Sequence, residues 1–208
     1  GTLCPLLRLL TLETKRMHST LRRNYTMTTA VHLNSDELKA GLDEIRQSPK
    51  QQGSLEMIVR RPETLQRDIV QEGELDLDVG LVGDNWKTRG GPERPANPET
   101  QITLTNARSI QHIAQSKDRW ALAGDQLYVD FDLSEENAPA GTRLSVGNAI
   151  LEVTPEPHNG CKKFVERFGM DAMLFVNSEV GKALHLRGIN ARVVQAGTIA
   201  IGDVVSKL

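Results

Sequence analysis

From Asn34 onward, apolar positions recur first at helical spacing and then, for most of the chain, at the two-residue spacing of strands. Leu38, Leu42 and Ile45 fall on one face of a helix that Asn34 or Ser35 caps, with Glu37 in its first turn. Ser48-Pro49 ends that helix, and residues 50–54 form a polar connector. Leu55, Met57 and Val59 then alternate along a strand that runs into the basic corner Arg60-Arg61-Pro62-Glu63. Further strands are expected over residues 67–72, 101–104, 127–131 and 187–196, with a last one near 203–205. Residues 74–79 alternate acids with Leu75, Leu77 and Val79, a pattern that suits either a strand or an acidic turn. Gly147-Asn148 between residues 142–146 and 149–153 signals a hairpin. In the strand at 127–131, Val129 and Phe131 point one way and Asp130 the other.

Helical spacing returns over residues 107–117, with Ile110, Ile113 and Ala114 inward and His112 at or near the surface. It returns again after Cys161, where Phe164, Val165 and Phe168 are apolar, and as two short turns at 171–177 and 179–184. Residues 118–125 read as a loop anchored by Trp120, and Gly197-Thr198-Ile199 as a turn. Many short strands with few long helices predict an α+β, mainly β fold: an antiparallel β-barrel with short helical insertions. The expected organisation is a tail over residues 1–30, a helix and connector over 31–54, and the barrel over 55–208.

Composition narrows the function classes. The 208 residues carry a net charge of −2 and only 4% aromatic residues, which argues against a general nucleic-acid surface. No apolar run reaches membrane-spanning length. Two cysteines, one of them Cys4 in the tail, make no disulfide framework and fit a reducing compartment. The tail holds Arg8, Lys15, Arg16, Arg22 and Arg23 against Glu13, the pattern of a mitochondrial presequence. An over-extended start, with Met17 or Met27 as the true first residue, explains it equally, so the expected location is mitochondrial or cytoplasmic.

The candidate chemistry gathers at Glu156–Gly169. Cys161 follows His158 and Gly160 and precedes Lys162 and Lys163, at the start of a helix. A thiol so placed is where a depressed pKa and a reactive thiolate are expected. The competing role for a lone cysteine is a small buried hydrophobe. Gly80-Leu81-Val82-Gly83-Asp84-Asn85-Trp86 lacks the spacing of a phosphate-cradling loop.

The ordered set Gly80–Trp86, Gly124-Asp125-Gln126-Leu127, Gly141-Thr142-Arg143-Leu144, His158-Asn159-Gly160-Cys161, and Leu186-Arg187-Gly188-Ile189 with Gly202-Asp203 resembles the MOSC domain, the C-terminal domain of molybdenum-cofactor sulfurase. The resemblance spans about residues 55–205. It implies a β-barrel-centred fold and a key cysteine, Cys161, whose thiolate ligates molybdenum in cofactor-binding members or carries a persulfide in sulfur-transfer proposals. A molybdenum cofactor also needs donors for its pterin phosphate. Arg60, Arg61, Arg89, Lys162, Lys163, Arg167 and Arg187 are candidates, Arg89 and Arg187 foremost, with Asn177 and His158 positioning substrate or an oxo group. The implied partners are a small-molecule substrate and either an electron-donor protein or a cysteine desulfurase. The N-terminal partner domain of amidoxime-reducing relatives and the pyridoxal-phosphate domain of the sulfurase find no counterpart, and no Schiff-base lysine stands out, so a stand-alone domain is expected.

Overall fold

The structure is a computed structural model and describes Leu21–Arg22 and residues 31–208. The expectations for the rest of the tail lie outside the described residues. In chain order the strands are β1 (Leu21–Arg22), β2 (Gln52–Arg60), β3 (Asp68–Val70), β4 (Glu72–Asp76), β5 (Gly80–Leu81), β6 (Ile102–Asn106), β7 (Leu127–Asp130), β8 (Arg143–Val146), β9 (Ala149–Val153), β10 (Ile189–Gln195), β11 (Gly197–Ala200) and β12 (Val204–Lys207). The helices are α1 (Ser35–Ala40), α2 (Leu42–Arg46), α3 (Ala107–Ala114), α4 (Lys162–Phe168), α5 (Met170–Asn177) and α6 (Glu179–Ala183), with 3₁₀ turns at Pro98–Thr100 and Lys117–Ala123.

A barrel closes in the order β2-β12-β8-β9-β10-β6-β7, with β7 pairing back onto β2. It is mixed rather than wholly antiparallel, because β6 and β7 run parallel. A parallel pair needs a crossover rather than a hairpin. Residues 107–126 supply it, carrying α3 and the 3₁₀ turn across the outside of the barrel. The Gly147-Asn148 hairpin is present, with Val146 opposite Ala149. Gly147 takes a positive φ of 55°, and a Cβ there would sit 2.4 Å from Asp203 Oδ2.

Two apolar layers result. Leu55, Ile58, Leu104, Leu127, Val129, Phe131, Leu144, Leu151 and Ala191 fill the barrel. Met57, Val59, Ile110, Ile113, Trp120, Tyr128, Phe164 and Phe168 join the helices to its outer wall. The alternation read for Leu55, Met57 and Val59 is therefore interrupted. The pairing shifts register between Leu55 and Met57, a bulge that turns Met57 and Val59 away from Leu55, while both faces stay buried.

Three further elements depart from the sequence reading. Residues 197–200 form β11, which pairs with β4 in a separate β11-β4-β5 sheet, so Gly197–Ile199 is a strand and residues 72–76 resolve as one too. The 118–125 loop is largely 3₁₀, anchored as expected by Trp120, which is buried and stacked on Tyr128. The single helix from Asn34 splits at Gly41. His112 Nε2 lies 3.0 Å and 3.1 Å from the carbonyls of Glu37 and Leu38, and a Cβ on Gly41 would meet the imidazole at 2.4 Å. An inserted side chain that takes helix carbonyls kinks the helix.

Candidate functional site

Cys161 is the N-cap of α4: its extended backbone (φ −125°, ψ 179°) precedes the helix, and its carbonyl accepts from Phe164 N at 2.9 Å and Val165 N at 3.1 Å. The thiol is free and exposed. Asn177, reaching back from the end of α5, grips the turn before it. Its Oδ1 accepts from Gly160 N at 2.9 Å and its Nδ2 donates to Gly160 O at 3.1 Å. A Cβ on Gly160 would press within 2.9 Å of Val176, so glycine lets α5 approach this closely.

The Leu186–Ile189 segment and the turn before β7 meet behind that loop. Asp125, fully buried, accepts from Arg187 Nη1 at 2.7 Å through Oδ2 and from His158 Nε2 at 2.7 Å through Oδ1. Arg187 also donates to Ala123 O at 2.9 Å and lies over the Phe164 ring, while its buried Nε has no partner among the described residues. Burial raises the Asp125 pKa, but Arg187 and His158 outweigh it and hold the carboxyl well below the usual range. His158 moves the other way to an ordinary imidazolium partner: burial and Arg187 lower its pKa, against the pull of Asp125. At neutral pH the arrangement is thus an ionised Asp125 between a guanidinium and a neutral imidazole. Gly188, at φ 111°, completes the packing, because a Cβ there would lie 2.2 Å from Leu104 O and 3.2 Å from the His158 ring.

A second buried carboxylate, Asp84, ties the glycine-punctuated loop to the same turn. It accepts from Arg61 Nε at 2.8 Å and Nη2 at 2.9 Å, and from the amides of Arg61 and Trp86 at 2.9 Å. Arg61 Nη1 then donates to Gly124 O at 2.8 Å. Around Gly124 stand arginines with no carboxylate partner among the described residues. Arg67 donates to Ala121 O and Gln66 O, Arg167 donates to Leu122 O, and a Cβ on Gly124 would lie 3.6 Å from both guanidiniums. Arg60 packs over Gly83, and its buried Nε is unpartnered. Desolvation and then Arg167 lower the Arg67 pKa, and desolvation and then Arg61 lower that of Arg89. Arg167 is lowered by desolvation, and an ionised Cys161 would raise it again. Arginines crowded around Gly124, with Asp84 the carboxylate that acts on them, stand next to a free thiol and keep donors open to an anion.

Of the residues singled out in sequence, the structure brings Cys161, His158, Asn177, Arg60, Arg61, Arg89, Arg167 and Arg187 into this region. It gives them unequal tasks, since Arg61 and Arg187 already hold buried carboxylates. Lys162 and Lys163 are exposed in the first turn of α4 and make no ion pair among the described residues. Arg67, Asp84 and Asp125 had no role assigned from sequence. Asp125 had a signal, being a lone carboxylate between Ala123 and Leu127 that cannot be buried without cationic partners. Arg67 had none. Among the described residues, no three His, Cys, Asp or Glu side chains gather to hold a metal ion. Nor is any helix among them long and apolar enough to cross a membrane. A groove of about 630 Å³ lies elsewhere, between α2 and α3, where Arg108 pairs with Asp130.

Comparison with known proteins agrees with this architecture. A crystal structure of a hypothetical protein matches at 20% identity over 75% of this chain and 68% of its own, with a TM-score of 0.51. The YuaD protein of Bacillus subtilis matches at 16% identity over 74% of this chain and 94% of its own, with a TM-score of 0.50. YiiM of Escherichia coli matches at 19% identity over 74% and 69%, with a TM-score of 0.49. At these identities the likeness to the first two is one of fold. No curated protein matches. The family model for the MOSC domain matches residues 87–206, more than half the chain, and starts just after the Gly80–Trp86 loop. The barrel, its ordered glycine motifs and that match place this chain in the MOSC domain family.

Proposed function

We propose that this protein binds a molybdenum cofactor through the Cys161 thiolate and acts as an oxidoreductase, with reduction of N-hydroxylated substrates as the first activity to test. The observation that carries the reading is the free, exposed thiol of Cys161 beside arginines that lack carboxylate partners. The donor set fits such a group in two respects. A thiolate is a soft ligand suited to a thiophilic metal, and guanidiniums with open donors suit a phosphate-bearing pterin. Cys161 would hold the metal, while Arg67, Arg167, Arg60 and Arg89 would hold the anionic end. When bound, the cofactor would supply two-electron redox chemistry at the metal. The chain's own residues provide the setting. Asn177 fixes the Gly160 backbone and hence the direction in which Cys161 leaves the turn. Asp125 keeps Arg187 and His158 in place behind it. Lys162 and Lys163 add positive potential beside Cys161, and an electron-donor protein would complete the cycle.

A second reading, a persulfide carrier charged by a cysteine desulfurase, is favoured by one feature, the exposure of the Cys161 thiol. One experiment separates the two. Protein from a host that makes molybdenum cofactor is analysed for metal and pterin, wild type beside Cys161→Ser. Near-stoichiometric molybdenum that disappears in the variant is expected. Absence of molybdenum from both proteins refutes the cofactor reading, and an added sulfur mass on Cys161 then establishes the carrier. A third reading, a non-catalytic cofactor-holding or interaction module, predicts that Cys161→Ala changes neither activity nor cofactor content.

A further inference from the structure

A second cavity of about 500 Å³ opens under the residue 154–159 loop, between that loop, β10 and α6. Its buried wall is apolar, formed by Val153, Val176 and Ile189, and is interrupted by His158 and Arg187. The charged groups at its mouth, Glu135, Glu156 and Lys182, are exposed and of both signs. The polar side chains on the wall are mostly engaged. Thr154 Oγ1 donates to Glu99 O at 2.6 Å, and Arg187 is bound to Asp125 and Ala123 O, its buried Nε alone having no partner among the described residues.

The two imidazoles that line the cavity are different. His158 has Nε2 against the Asp125 carboxylate at 2.7 Å. An ionised carboxylate only accepts, so Nε2 carries the proton and Nδ1 is left as an acceptor, unpartnered among the described residues. His185 has Nδ1 against Leu133 O at 2.6 Å. A carbonyl also only accepts, so Nδ1 of His185 carries a proton. The same cavity thus has an apolar body and one open ring nitrogen, His158 Nδ1, that accepts a hydrogen bond.

We propose that this cavity binds a small molecule with an apolar body and an N–H₂ donor group, received by His158 Nδ1, and that Asp125 is the positioning residue that keeps His158 in the accepting tautomer. The volume falls within the range of small-ligand sites. The apolar wall suits an apolar body, and the charged groups at the mouth are of both signs. The depressed pKa of His158 agrees, since it keeps the ring neutral at the pH where it must accept. Because Asp125 also carries Arg187 toward the Cys161 side, one carboxylate orders both the cavity and the back of the thiol loop.

The test is nitrogen-15 NMR of the histidine rings on the full chain at neutral pH, without cofactor, so its result does not depend on whether molybdenum binds. Aniline is the probe, and toluene is the control of the same shape without donors. The expected result is a His158 ring protonated at Nε2 and bare at Nδ1, a saturable shift of that Nδ1 with aniline, and no such shift with toluene. Asp125→Asn, whose amide can donate to Nε2, should move the ring proton to Nδ1, as an equivalent substitution does in serine proteases. It should weaken aniline about tenfold, the scale of one lost hydrogen bond. A wild-type His158 protonated at Nδ1, or aniline that leaves Nδ1 unmoved or acts no differently from toluene, overturns the proposal. These wild-type readings decide the matter even if the variant does not fold.

Discussion

At the scale of single residues, two buried carboxylates do most of the organising. Asp84 joins β2 to the glycine loop through Arg61, and Arg61 continues to Gly124 O. Both side chains are almost wholly buried, at 10% and 0% exposed. Removing one charge of such a pair leaves the other without solvent or partner, which costs more than the pair itself contributes. Asp84→Asn should therefore lower the stability to urea by about 3–5 kcal/mol. Removing a surface pair such as Lys39–Asp36 should cost less than about 1 kcal/mol. Equal losses in the two variants would show that Asp84 is not the structural clamp described.

At the scale of elements, the site depends on close approaches that only glycine permits. Gly188, just before β10, lets the chain pass the carbonyl of Leu104 and the ring of His158. Gly188→Ala would put a Cβ 2.2 Å from that carbonyl on a backbone with φ 111°, so the chain must move. A loss of at least about 1–3 kcal/mol is expected, read from the urea midpoint, together with a disturbed His158 ring resonance. Gly91→Ala is the control: its φ is also positive, at 66°, but nothing lies within 4 Å of the added Cβ, so strain there stands alone without a clash. If both variants lose the same stability, the contact at Leu104 O contributes nothing. Helix α1 shows the converse effect, since it breaks at Gly41, where His112, distant in sequence, takes the carbonyls of its last turn.

At the scale of the whole molecule, net charge and local charge diverge. The chain is slightly acidic overall, yet its arginines crowd around Gly124 with their pKa values lowered by burial and by one another. Such repulsion destabilises the folded state and is relieved by any anion that enters. Inorganic phosphate should therefore raise the urea midpoint in a saturable way, following the logarithmic gain of a ligand that binds only the folded state. The double variant Arg67→Ala, Arg167→Ala should be less responsive to phosphate while responding to sodium chloride like the wild type. An unchanged phosphate response in that variant would exclude the cluster as the anion site.

The sequence by itself determined the periodicities, the turn chemistry and the ordered motifs. Those were enough for a mainly β barrel, the Gly147-Asn148 hairpin, the short helix after Cys161, and Cys161 itself as the centre of interest. These features depend on near neighbours, namely alternation along a strand, glycine at a positive φ, and a residue preceding a helix. Tertiary structure alone decided the rest. The parallel β6–β7 pair follows from where a crossover lands, the bulge in β2 from a second layer covering its outer face, and β11 from a partner more than a hundred residues away. Which arginines are free was equally hidden. Arg61 and Arg187 look no different in sequence from Arg67 and Arg167, and only packing shows that the first two already hold carboxylates while the others hold carbonyls. Local pattern encodes local conformation, but a charge acquires its role from partners brought close by the fold.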